Sequence, residues 1–197
     1  MADVYKFKVG LCELENDMWR DIEITSVSSV AKLGCAVLGA FESTASHLFN
    51  IRFDGIRYEI VFKEDDFDDE PAIDPIKTKL STLKLSVGDK LSMEYDYGAG
   101  WEFEIELLSI TEMKRGAGTH YPDVTDGKGK GISEDTLPYE LAEMIKKTDK
   151  NCTLPVIMDM YSDKEVSCDY IKFDLEYCNV FFKDKVLKMQ NTYEEYE

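Results

Sequence analysis

The chain has 197 residues, 44% hydrophobic and 12% aromatic, which suffices for a sizeable core and predicts a single domain over 1–197. Its 40 acidic residues against 23 basic ones give a formal net charge of −17. That field repels nucleic-acid phosphates and anionic lipid, so direct nucleic-acid and membrane partners are disfavoured; it attracts basic surfaces, and a basic protein such as a nuclease or a nucleic-acid-binding complex is the expected partner.

In chain order, Tyr5, Phe7, Val9 and Leu11 alternate with Lys6, Lys8 and Gly10, the period of a half-buried strand. A turn at Glu15-Asn16-Asp17 leads to a second short strand over 19–24. From Ser28 or Ser29 the period becomes helical: Val30, Leu33, Val37, Leu38 and Phe41 share one face, and a serine supplies the N-cap. Strands at about 47–53 and 56–62 flank Asp54-Gly55, a pair suited to the positive φ angles of a type I′ hairpin turn. Six carboxylates follow within 64–70, namely Glu64, Asp65, Asp66, Asp68, Asp69 and Glu70. Their repulsion predicts an extended, solvated loop and a candidate partner-binding segment. Asp74-Pro75 reads as the N-cap and first position of a short helix that presents Ile76, Leu80 and Leu83.

The longest predicted strand runs over 93–107. Its odd positions from Met93 to Leu107 are apolar or aromatic, and Glu94, Asp96, Glu102, Glu104 and Glu106 occupy even ones. Gly98 and Gly100 fall where a bulge or bend belongs. The glycine-rich stretch 115–131 reads as a loop. A helix is predicted over about 138–147 from Leu141, Met144 and Ile145. The segment 154–161 fits either a strand or an irregular connection. Asp174 caps a final helix through Leu175, Cys178 and Phe182, although Ile171, Phe173, Leu175 and Tyr177 also fit strand alternation. The sum is an α+β fold, a mainly antiparallel twisted sheet with three to four helices packed on it.

These residues resemble a known family. Met18-Trp19-Arg20, Ser46-His47-Leu48, Tyr95-Asp96-Tyr97-Gly98 with Trp101 and Glu102, and Tyr121-Pro122 followed by Asp126-Gly127 and Glu134-Asp135 occur in the order met in the plasmid pRiA4b open-reading-frame-three-like proteins. Members are also known as passenger proteins of insertion elements. The resemblance implies a compact α+β core at about 4–136 with a helical C-terminal extension at about 137–197, and a mobile-element context. It supplies no mechanism. Where members commonly carry Y-D-F-G-D-x-W-x-H, this chain has Ala99 for the second acid and Phe103 for the histidine, which weakens any inherited catalytic role.

No cofactor, metal site or catalytic residue is assigned. Five cysteines without C-x-x-C spacing argue against zinc or a disulfide framework. Gly127-Lys128-Gly129-Lys130-Gly131 lacks full phosphate-loop spacing and reads as a flexible loop. A calcium loop counted from Asp123 has Lys128 where glycine is required. No apolar signal core begins the chain and no eighteen apolar residues run together, so the expected compartment is the cytoplasm.

Two functions compete on the sequence. One is a non-catalytic inhibitor of a basic nucleic-acid-handling partner, of the anti-defence type. It would use the 64–70 segment and the Glu102, Glu104 and Glu106 row, whose spacing of about 6.8 Å imitates a phosphate backbone. The other is a small-ligand or hydrolase-like protein with a polar cleft of Arg20, His47 and Asp96, Arg20 pairing with Asp96.

Overall fold

The computed structural model describes residues 2–60, 71–134, 136–147 and 172–194. An eight-stranded, mostly antiparallel sheet carries three α-helices, the expected α+β class. The strands are β1 (Asp3–Leu11), β2 (Trp19–Thr25), β3 (Phe49–Phe53), β4 (Ile56–Tyr58), β5 (Ala72–Ile73), β6 (Lys90–Tyr95), β7 (Trp101–Glu112) and β8 (Asp123–Lys128). They lie in the order β5-β4-β3-β6-β7-β1-β2-β8, with β4 and β5 parallel. The helices are α1 (Val30–Ala40), α2 (Pro138–Lys147) and α3 (Leu175–Glu194). None of the described helices is long and apolar enough to cross a membrane.

One sheet face is apolar because each strand alternates in register with its neighbours. Phe7, Val9, Ile22, Ile24, Ile51, Met93, Phe103 and Ile105 are all buried there. The helix α1 covers this face. Its N-cap Ser29 accepts from the Lys32 amide at 3.1 Å, and apart from Lys32 its residues are buried. It is apolar nearly all round because it is enclosed on two sides. Gly34 meets Phe49 of β3, while Gly39 meets Phe182 and Val186 of α3. The buried stripe Phe182, Val186, Met189 and Tyr193 of α3 follows the helical period. The Asp174 carboxylate caps that helix at the Tyr177 amide, 2.9 Å away, so the strand alternative there is overturned.

Three other expectations are corrected. The long strand over 93–107 is a hairpin: β6 and β7 pair antiparallel from Tyr95↔Trp101 to Lys90↔Glu106, and the chain reverses at 96–100. The expected helix after Asp74-Pro75 is a capped turn followed by a short 3-10 turn at Leu80–Leu83; the Asp74 carboxylate accepts from the Ile76 and Lys77 amides. Inside the glycine-rich stretch lies an edge strand, β8, paired with β2. Its open side is met by Asn179 of α3, whose amide accepts from Val124 N–H and donates to Val124 C=O at 3.2 and 2.7 Å. That contact occupies backbone groups which an unprotected edge would offer to another chain. The Asp54-Gly55 turn has the expected positive φ values of 50° and 75°. The acidic stretch 64–70 and the segment 154–161 lie outside the described residues.

The contact between α1 and the sheet yields a test with an unusual sign. Alanine outranks glycine in a helix by about 1 kcal/mol, yet a Cβ at position 34 would lie 2.2 Å from Cε2 of Phe49. Gly34→Ala is expected to destabilise the protein by about 1–3 kcal/mol in urea unfolding, because overpacking outweighs propensity. Equal or greater stability would show that Phe49 can move aside.

Candidate functional site

The β6–β7 turn builds the first part of the site. Asp96 has φ 54°, a left-handed conformation that Asp tolerates because its carboxylate bonds locally. Its Oδ1 accepts from the Gly98 and Ala99 amides at 3.2 and 3.3 Å. Its own amide donates to the Leu48 carbonyl at 3.0 Å. These bonds leave Oδ2 directed at His47, whose Nε2 is 3.6 Å away. The His47 ring stands edge-on to Tyr95, and the Tyr193 hydroxyl donates to the His47 carbonyl. A cleft of ≈ 620 Å³ opens between His47, Asp96, Tyr97 and, on α3, Thr192 and Tyr193.

Arg20 is elsewhere in the chemistry. It is fully buried, and all five of its N–H donors are used by backbone carbonyls: Ala40 at 2.9 Å, Trp19 at 2.8 Å, Lys128 at 2.7 Å, and Gly129 and Lys130 at 2.8 Å each. The guanidinium lies between the Phe41 and Phe173 rings, 4.9 and 4.1 Å from their centroids. Burial pulls its pKa down to about 10, so it is still a cation at neutral pH. The expected bidentate pairing with Asp96 is thereby corrected: no donor is left for a carboxylate. The glycine-rich stretch serves this cage, presenting carbonyls to a cation instead of amides to a phosphate. At Gly129, where φ is 76°, a Cβ would stand 2.5 Å from the Asp17 carbonyl oxygen.

A second polar hub has no role assigned from sequence, although two of its residues, Tyr95 and Glu134, are among those that carry the family resemblance. The Glu134 carboxylate accepts from the Ser43 and Thr44 hydroxyls, from the Thr44 amide at 3.0 Å and from the Tyr95 hydroxyl at 2.7 Å. Burial raises its pKa, but those donors outweigh the burial and hold it below the ordinary glutamate value.

The opposite sheet face carries Glu102, Glu104 and Glu106. Their row is not uniformly negative. Lys90 of β6 reaches Glu104 at 2.8 Å and Glu106 at 3.9 Å, while Glu102 faces Glu94 across the strands. The phosphate-like row is therefore corrected to a mixed-charge surface with one acidic pair. Cys12, beside Glu102, has its thiol pushed up to about 11 by burial and then by Glu102, Glu15 and Glu104. It is a poor nucleophile at neutral pH. Among the described residues no three His, Cys, Asp or Glu side chains gather as a metal site.

Fold and site define an α+β protein with a polar cleft lined by His47 and Asp96. The family model for plasmid pRiA4b ORF-3-like proteins matches residues 3–180, and the chain belongs to that family. A protein of unknown function from Methanosarcina mazei Go1 has a similar fold, with a TM-score of 0.69 and 21% identity over 89% of this chain and 96% of that one. No curated protein matches.

Of the three sequence-chosen cleft residues, the structure brings His47 and Asp96 together and holds Arg20 in its own cage. Tyr193, missed from sequence, shares the helical stripe that starts at Phe182.

Two measurements check these hubs. Arg20→Lys keeps the charge but loses the planar fork, and is expected to cost about 2–4 kcal/mol in urea unfolding as buried carbonyls lose donors; a loss under about 0.5 kcal/mol would mean the carbonyls find other donors. For Glu134 the folded pKa is depressed. Its stabilisation is therefore present above the unfolded value and lost as pH falls through the folded one. Glu134→Gln should be destabilised at neutral pH, with the gap from the parent narrowing on acidification. A gap unchanged down to acid pH would contradict the assignment.

Proposed function

We propose that this chain is a non-catalytic interaction protein of plasmid or mobile-element context that engages, and thereby inhibits, a basic nucleic-acid-handling protein. The distribution of charge carries this reading. Of the net −17, a net of −5 falls on the ten residues 61–70, with six carboxylates and one lysine. An excess gathered into one chain segment offers a basic groove a string of carboxylates in place of phosphates. The sheet face, where Lys90 pairs with Glu104 and approaches Glu106, offers less.

The position where relatives carry a histidine supports binding over catalysis. Phe103 is fully buried against the Phe41 ring, with centroids 5.0 Å apart. Arg20 is committed to carbonyls, so the enzyme-like trio is incomplete.

Binding to a basic endonuclease, measured by anisotropy with duplex DNA as competitor, tests the reading. Affinity should fall about tenfold or more from low to physiological salt, and by a similar factor when the six carboxylates of 64–70 become amides. Binding that ignores salt and these substitutions, or no binding to any such enzyme, would sink it.

A further inference from the structure

The cleft beside His47 combines two features that favour a cation. Among the described residues that line it, Asp96 is the single carboxylate and none is a lysine or arginine. One Asp96 oxygen is spent on the turn amides, and among the described residues the other meets the imidazole, at 3.6 Å, beyond hydrogen-bond length. The second feature is the aromatic lining. Tyr97 is 46% exposed, and its hydroxyl donates to the Glu59 carboxylate, which fixes the side chain at the cleft wall. An aromatic ring bonded to an anion through its hydroxyl is electron-rich and attracts cations.

We propose that this cleft binds a guanidinium group, carried either by an arginine side chain of a partner protein or by a small arginine-like molecule. The planar cation has several N–H donors, so it can address Asp96 Oδ2 together with His47 Nε2 when the imidazole proton sits on Nδ1. A compact ammonium matches two acceptors this far apart less well. Guanidinium also stacks on tyrosine, and the cleft volume of ≈ 620 Å³ is that of a small-ligand pocket. The proposal does not depend on the charge-driven docking above.

The full chain is titrated with N-acetyl-arginine methylamide and followed by amide NMR, with the neutral citrulline analogue as control. Shifts are expected around 45–48, 96–98 and 192–193, and none with the citrulline compound. Asp96→Asn keeps an oxygen for the Gly98 and Ala99 amides, so the turn survives, and it should weaken binding about tenfold or more. His47→Lys places an ammonium beside Asp96 from a half-exposed position and should abolish binding while leaving the thermal unfolding midpoint in place. The chain with amides at 64–70 should bind as the parent does, which separates this site from partner docking. A Gly-Arg-Gly amide that binds about tenfold tighter than the methylamide indicates a protein-borne arginine. Equal affinity indicates a free small molecule, and either result supports the site. Equal binding of the citrulline compound, full affinity in both variants, or no shifts at probe concentrations that saturate millimolar sites would overturn it.

Discussion

A buried guanidinium organises the junction on which the other elements depend. Removing a cation from water costs several kcal/mol unless every N–H finds an acceptor. Arg20 meets that demand with carbonyl dipoles alone. One of them, Ala40, is the last residue of α1, where the helix dipole is negative. The others belong to β2 and to the exit of β8. A single side chain thus fixes where α1 ends, how β8 leaves the sheet and, through Phe173, where the chain enters α3. The arrangement also explains why lysine-flanked glycines follow β8: carbonyls can converge on one cation only if the backbone approaches closely.

The second organising point is the turn at Asp96, where fold and site share an atom group. One carboxylate oxygen holds the turn together, and the other faces the cleft. The site is therefore as rigid as the hairpin that carries it. Near this turn, Glu134 ties the loop after α1 to Tyr95 at the end of β6. Ala45, on the cleft wall, also adopts a positive φ, at 54°. Strained backbone at a cleft is sustained by surroundings that over-determine it.

Much of the sheet was legible because alternation in sequence and burial in space are the same signal. The 93–107 segment shows how that signal deceives. Tyr95 pairs with Trp101 across a turn of five residues. An odd-numbered turn preserves parity, so odd positions stay buried on both sides and the hairpin reads as one uninterrupted strand. Gly98 and Gly100 marked the reversal, but periodicity cannot tell a bulge from a turn. The edge strand β8 was hidden for a different reason. Its sequence, DVTDGK, is polar, and its pairing is set by β2 and Asn179 rather than by an apolar face. For the site, the family resemblance put His47 and Asp96 in one cleft, whereas Arg20 was placed beside Asp96 wrongly. Charge complementarity suggests a carboxylate for any arginine, and carbonyl cages leave no pattern in side-chain identities.

The two departures from the family pattern have unequal consequences. Ala99 lies in the turn beside Asp96, half-buried, where the loss of an acid changes the charge near the cleft without altering the fold. Phe103 is joined to the cage: its ring stands edge-on to Phe41, and Phe41 in turn underlies Arg20. A histidine at that position would bring polar nitrogens to a fully buried point of an aromatic contact and would need a partner there. Phenylalanine removes that demand and extends the stack to Phe103, Phe41, Arg20 and Phe173. Phe103 is thus part of the packing around the buried cation.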